Sequence, residues 1–277
     1  MPRTAFNPQV HGFAFANSWE FEGEERTHLR RVSARYLPLG IVFGAMLCGP
    51  VGVILIPLGV VGVVTFGLVG ALLIPLGIVM ARRLLERHLA PGYGLCGGMC
   101  FAALDFFHAN HPPPRGENAN DQPAPGTRLR SYIWRRQLRS LFSDGARFMV
   151  WLISLNYAPQ AWPFLGGGGW LLARSRKEWQ KLKVSVDGGR PVPIGLVRAA
   201  KRVYDNHQVL AIGYEETGEA HGTIYVYDPN CPDRESTIDI QFGPQTFDGQ
   251  ESCGGGPPLR GFFCEAYRPS DPMGAVE

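Results

Sequence analysis

The sequence predicts an α+β fold in three parts: an apolar helical hairpin of transmembrane type, then a helical half, then an antiparallel β half. Three observations predict it. No residue from Leu37 to Ala81 is charged, a run of 45 positions. A helix-forming apolar run starts at Cys96, and Leu129 to Phe142 repeats apolar residues at helical spacing. From Val184 onward, short runs rich in Val, Ile and Tyr alternate with Gly, Pro and Asp, the pattern of strands and turns.

At 277 residues the chain suffices for one large domain or two small ones. The boundaries expected are 1–36 for an N-terminal strand segment belonging to the main domain, 37–81 for the hairpin and 82–277 for the main domain. A net charge of +3, with no run of arginines interleaved with exposed aromatics, argues against a nucleic-acid partner. The six cysteines match no small secreted disulfide framework. Cys96 and Cys100 lie one helical turn apart, but no second close Cys or His pair completes a zinc set. His108 and His111 fall in a Pro-rich stretch. No metal and no organic cofactor is therefore expected. Residues 1–20 lack the continuous apolar core of a signal peptide.

Taken in order, Phe13, Phe15 and Asn17 alternate as on a short strand. The uncharged run 37–81 is about twice the ~20 residues that one membrane span needs. Ile56-Pro57-Leu58-Gly59 supplies a turn near its middle. Gly40/Gly44 and Gly67/Ala71 are small residues spaced for close helix approach. Arg30, Arg31 and Arg35 precede the run, and Arg82, Arg83 and Arg87 follow it. Basic flanks at both ends put both on the cytoplasmic side. The expectation is a membrane location with a cytoplasmic main domain and a lipid bilayer as partner through 37–81. A helix is expected from Cys96 to about Asn110, ended by His111-Pro112-Pro113-Pro114. An exposed loop follows over 111–127, then helices at 129–142 and 174–183. Strands are expected at 191–197, 208–214, 223–227, 236–241 and 259–267.

The candidate chemistry begins at Gly94-Leu95-Cys96-Gly97-Gly98-Met99-Cys100. A thiol at a helix N-terminus faces unpaired backbone N–H groups and the positive end of the helix dipole, which favour a thiolate. Over a hundred residues on, Asn206-His207-Gln208-Val209-Leu210-Ala211 alternates as a strand. Thr223-Ile224-Tyr225-Val226-Tyr227-Asp228 is its partner across a turn at Glu215–Glu219. A hairpin centred in that turn sets His207 opposite Asp228, on apolar faces that exclude water. A carboxylate that fixes a histidine tautomer, and a histidine that takes a thiol proton, is the arrangement of nucleophilic catalysis.

These stretches, with Gly189-Arg190-Pro191-Val192-Pro193-Ile194 and Asp228-Pro229, resemble the papain-like cysteine peptidases, and among them the bacterial branch typified by double-glycine leader peptidases. The resemblance covers roughly 94–110 and 184–230. It implies a papain-like fold, with the helical half carrying the Cys helix packed on the β half. It implies a thiol hydrolase, in particular a peptidase acting on a peptide or other acyl substrate through a thioester. By it, Cys96 is the nucleophile, His207 the general base and acid, and Asp228 the orienting carboxylate. The backbone at Gly97 is an oxyanion donor. The family's usual Gln before the nucleophile is absent: Ala90 holds that place, and 88–95 contain no Gln or Asn. Asn17 is the candidate to replace it, provided the N-terminal segment folds back and the hairpin is an insertion. Cys100-Phe101-Ala102 resembles the Cys-Trp-Ala of papain, which makes Cys100 an alternative nucleophile. The reading is a membrane-anchored thiol hydrolase. The alternative is a membrane-inserting effector or toxin whose papain-like part is non-catalytic or only processing.

Overall fold

The structure, a computed structural model, describes residues 1–20, 27, 92–115, 121–156, 168–199, 205–254 and 256–276. The chain divides into two compact units. One is discontinuous, Met1–Ser18 with Gly94–Glu277, and the other is Trp19–Tyr93. In the second unit, β1 (Trp19–Glu20) pairs antiparallel with β2 (Gly92–Tyr93), Trp19 opposite Tyr93 and Glu20 opposite Gly92. The chain therefore leaves after Glu20 and returns at Gly92 side by side.

The first unit is built on six antiparallel strands: β3 (Val192–Arg198), β4 (His207–Gly218), β5 (His221–Tyr227), β6 (Glu235–Phe242), β7 (Phe247–Glu251) and β8 (Leu259–Cys264). Each pairs with the next, and β8 pairs back onto β3 from Ile194↔Cys264 to Arg198↔Leu259, closing a barrel. Closure satisfies the backbone groups that an open edge would leave bare. Alternation sorts the side chains. Ile194, Leu196, Val209, Ala211, Ile224, Val226, Ile238, Ile240 and Phe262 share one core, which α4 (Gly168–Asp187) joins through Trp179, Leu182 and Val186. Val197 and Phe263 point the other way, onto Trp151 and Leu152 of α3 (Arg128–Asn156) and Leu171 of α4.

The expected papain-like α+β fold with a membrane hairpin is corrected by this closed barrel. The antiparallel β half was inferred from five apolar runs. The strand that completes the ring, Phe247-Asp248-Gly249-Gln250-Glu251, carries two carboxylates and a glycine and shows no apolar alternation. The expected membrane location is corrected as well: among the described residues no helix is long and apolar enough to cross a membrane. The run 37–81, on which that expectation stood, lies outside the described residues. The N-terminal segment is not a strand at 13–17. It has a short helix α1 (Pro8–His11), and then an irregular stretch that buries Phe13 and Phe15. Helix α3 runs well past Phe142, because no proline interrupts it before Pro159. Cys231 and Cys253 form a disulfide, tying the loop after β5 to the segment after β7.

Helix α2 (Cys96–His108) is buried from Cys96 through Phe106, as an apolar helix with no polar stripe must be. It ends in a double hydrogen bond: Asn110 N–H donates to Phe107 O and His111 N–H to Phe106 O. Asn110 takes φ +51, a left-handed conformation that asparagine tolerates better than most residues. The prolines after it cannot continue a helix.

Candidate active site

The N-terminus of α2 is assembled from both parts of the discontinuous unit. Leu95 N–H donates to Asn17 Oδ1 at 2.6 Å, and Gly98 N–H donates to Gln137 Oε1 at 2.7 Å from α3. The helical ladder starts with Met99 N–H to Leu95 O. Among the described residues this leaves the Cys96 and Gly97 N–H groups of the first turn without an acceptor. Cys96 is buried, with 9% of its surface exposed. A side chain at Gly97 would overlap Gln208: its Cβ would lie 1.9 Å from Gln208 Oε1. Glycine at 97 thus leaves the room that the Gln208 amide and the Ser140 hydroxyl occupy beside Cys96.

His207, the first residue of β4, is buried, and so is Asp228 just after β5. His207 Nε2 lies 2.8 Å from Asp228 Oδ1. A carboxylate requires the proton on that nitrogen, so Nε2–H donates and Nδ1 is left to face the thiol. Burial works against the charged imidazolium. The Asp228 carboxylate and its hydrogen bond outweigh burial, Cys96 adds a hydrogen bond and its charge, and the pKa of His207 is pushed up to about 10. The structure thus gathers Cys96, His207 and Asp228 at one place.

The strand register differs from the expected one. Leu210 pairs with Tyr227 and Ala211 with Val226, so continuing that ladder puts Asn230, not Asp228, across from His207. Asp228 reaches the imidazole diagonally. The offset arises because the turn falls at Glu219–Ala220, later than expected; the irregularities of β4 between Ala211 and Gly213 and between Glu216 and Gly218 take back part of it. Asn230 is a site residue that the sequence reading missed. Its amide nitrogen lies 3.2 Å from His207 Nε2, and its backbone N–H donates to Asp228 Oδ1 at 2.8 Å.

Asn17 braces this corner. Since its Oδ1 must accept from Leu95 N–H, its Nδ2 faces outward and donates to Asn230 Oδ1 at 3.0 Å. One amide thereby links the start of the Cys96 helix to the residue beside His207. Cys100 lies one turn deeper, fully buried, with Sγ 3.6 Å from Gln208 O. Burial pushes its thiol well above the ordinary range, as do the charges of Cys96, Glu265 and Asp228. A thiol held protonated and out of solvent is a poor nucleophile.

Gln208, beside His207, was also missed, since a polar residue in a strand has no distinctive signal. Its Oε1 lies 3.9 Å from Cys96 Sγ, and its Nε2 donates to Ser140 Oγ at 2.8 Å and to Glu265 Oε1. Glu265 is buried. Burial raises its pKa, the Gln208 hydrogen bond opposes this, Asp144 adds to it and Arg147 opposes it, and the outcome is a carboxyl pushed up to about 8.

Neither a family model, nor a curated protein, nor a solved structure matches the chain, so the family resemblance rests on the quoted motifs alone.

Proposed function

We propose that the protein is a thiol hydrolase of the cysteine peptidase type, with Cys96 as nucleophile, His207 as general base and acid, and Asp228 as the carboxylate that orients the imidazole. The observation that carries this reading is a buried histidine engaged on one nitrogen by Asp228 at 2.8 Å, with the thiol of a helix-N-terminal cysteine among the groups that raise its pKa.

In the reaction, Cys96 S–H passes its proton to His207 Nδ1, and the thiolate attacks the acyl carbon of the substrate. The carbonyl oxygen becomes an oxyanion and accepts from the Cys96 and Gly97 N–H groups. His207 then returns the proton to the leaving amine or alcohol as the carbon–heteroatom bond breaks, leaving a thioester on Cys96. Water, deprotonated by His207, attacks the thioester. The acid departs, and the sulfur recovers its proton. Asn17 holds the Asn230 amide and the start of α2 in register for these steps.

The test uses p-nitrophenyl acetate with the full chain, which needs no knowledge of the natural substrate. A burst of nitrophenolate, an acetyl group mapped to Cys96 by peptide mass spectrometry, and loss of both in His207→Ala are expected. Acetylation confined to lysines or to Cys264, with Cys96 unmodified, would refute the reading. A pool of fluorogenic peptide amides then separates peptidase from ester hydrolase.

A further inference from the structure

Gln208 touches the nucleophile and has no part in the steps above. Its Oε1 is placed to accept the Cys96 S–H, while its Nε2 is held by Ser140 and Glu265. Ser140 is fully buried, Glu265 is 7% exposed, and Glu265 Oε2 is buried without a hydrogen-bond partner among the described residues. The groups acting on Glu265 are Gln208 from β4, Asp144 and Arg147 from α3, and the Cys100 thiol from α2. Arg147 acts through charge alone, its guanidinium being bound to Glu178 and to Cys264 O.

This geometry suits a thiol and opposes a thiolate, because the lone pairs of Oε1 would then face a negative sulfur. A half-turn of the terminal amide exchanges oxygen for nitrogen with almost no change of shape. Nε2 then points at the sulfur, and Oε1 points at Ser140 and Glu265. A serine hydroxyl can accept or donate, but a carboxyl can donate only when it carries a proton. A buried glutamic acid with one bare oxygen is the group that makes both orientations of the amide satisfiable.

We propose that Gln208 is a further catalytic residue whose amide turns to donate Nε2–H to the Cys96 thiolate, and that Glu265 is the positioning residue that permits the turn, accepting from Nε2 before it and donating its hydroxyl to Oε1 after it. The proposal rests on the Cys96–His207 reading. The Cys96 proton goes to His207, Glu265 keeps its own, and no covalent bond to carbon changes in the turn.

The experiment is alkylation of the full chain by iodoacetamide near pH 6.5, with the rate at Cys96 read by peptide mass spectrometry. Gln208→Leu is expected to be about tenfold slower, the effect of one hydrogen bond to a charged group. Glu265→Leu should be similarly slow. Glu265→Gln, which can both accept and donate, should recover most of the lost rate. In the native chain, reactivity at Cys96 should also fall as pH passes about 8, where Glu265 loses its proton, and this fall should vanish in Glu265→Gln. A native rate in a folded Gln208→Leu, or no recovery in Glu265→Gln relative to Glu265→Leu, would overturn the proposal. His207→Ala keeps the two readings apart. A native rate there sinks the Cys96–His207 reading, whereas a slow His207→Ala beside a native Gln208→Leu sinks this proposal alone.

Discussion

Asp105, near the C-terminal end of α2, accepts from the Tyr132 hydroxyl at 2.8 Å, the Tyr267 hydroxyl at 2.7 Å and Ser270 N–H at 2.9 Å, and pairs with Arg136 at 2.7 Å. Cys96, at the other end of the same helix, has its sulfur 3.9 Å from one amide oxygen and leaves two first-turn N–H groups without an acceptor among the described residues. Both ends are buried, yet one is saturated with partners and the other is left open. A saturated buried carboxylate has nothing left to give a substrate, so it fixes the helix to α3 and the C-terminal segment. An open end costs stability and persists where its groups serve something outside the chain. Burial of a charged group is therefore a poor guide to function in this molecule, and the number of unmet hydrogen bonds is a better one.

Substitutions at the two ends sharpen the contrast. The largest effect is expected from Cys96→Ser: turnover of an activated ester should fall on the order of 10⁴-fold, with the thermal midpoint unchanged. Asp105→Ala should act the other way round. Loss of the carboxylate leaves the Arg136 guanidinium buried and unpaired and should cost about 3–5 kcal/mol in urea unfolding. A drop in turnover at Asp105 without a drop in stability would break the contrast.

Reduction of the Cys231–Cys253 disulfide comes next. It closes a loop of 22 residues, a constraint of about 3 kcal/mol, measurable as a lower urea midpoint. Its loss also frees the segment holding Asp228 and Asn230. Asn17→Ala should cost about 1 kcal/mol for the missing cap of Leu95 N–H, with a fall in turnover larger than that instability explains.

A pH series adds a smaller effect. Glu265 holds its proton more tightly folded than unfolded, since its pKa rises from 4.5 to about 8. Its contribution to stability is complete below pH 4.5 and is lost as pH rises toward 8. In Glu265→Gln the stability curve should be flatter over that window.

Several features were legible in the residues. A cysteine and two glycines before an apolar run mark the start of α2, and the alternation after His207 and before Asp228 places those two on paired strands. The register was not legible, because the polar run Glu215–Glu219 does not show that β4 continues to Gly218 and turns only at Glu219–Ala220, nor that β4 carries two irregularities. That offset hid Asn230. The barrel was missed because its closing strand is polar. Glu265 was missed because a glutamate at a strand end gives no local sign that the fold will bury it. The resemblance at 94–110 and 184–230 pointed to a papain-like antiparallel β half, whereas the pairing of Ile194 with Cys264 depends on a contact seventy residues long, which no local pattern encodes.

Whether His207 and Cys96 act as one unit is read most directly from the pH profile of Cys96 alkylation in the native chain and in His207→Ala. With His207 held as an imidazolium up to about pH 10 beside it, the native sulfur should react on the order of tenfold faster than the His207→Ala sulfur near neutral pH, the effect of a hydrogen bond to a charged group. That excess should shrink as the medium turns alkaline, where free thiols ionise without help. Superimposable profiles for the two proteins would contradict the account.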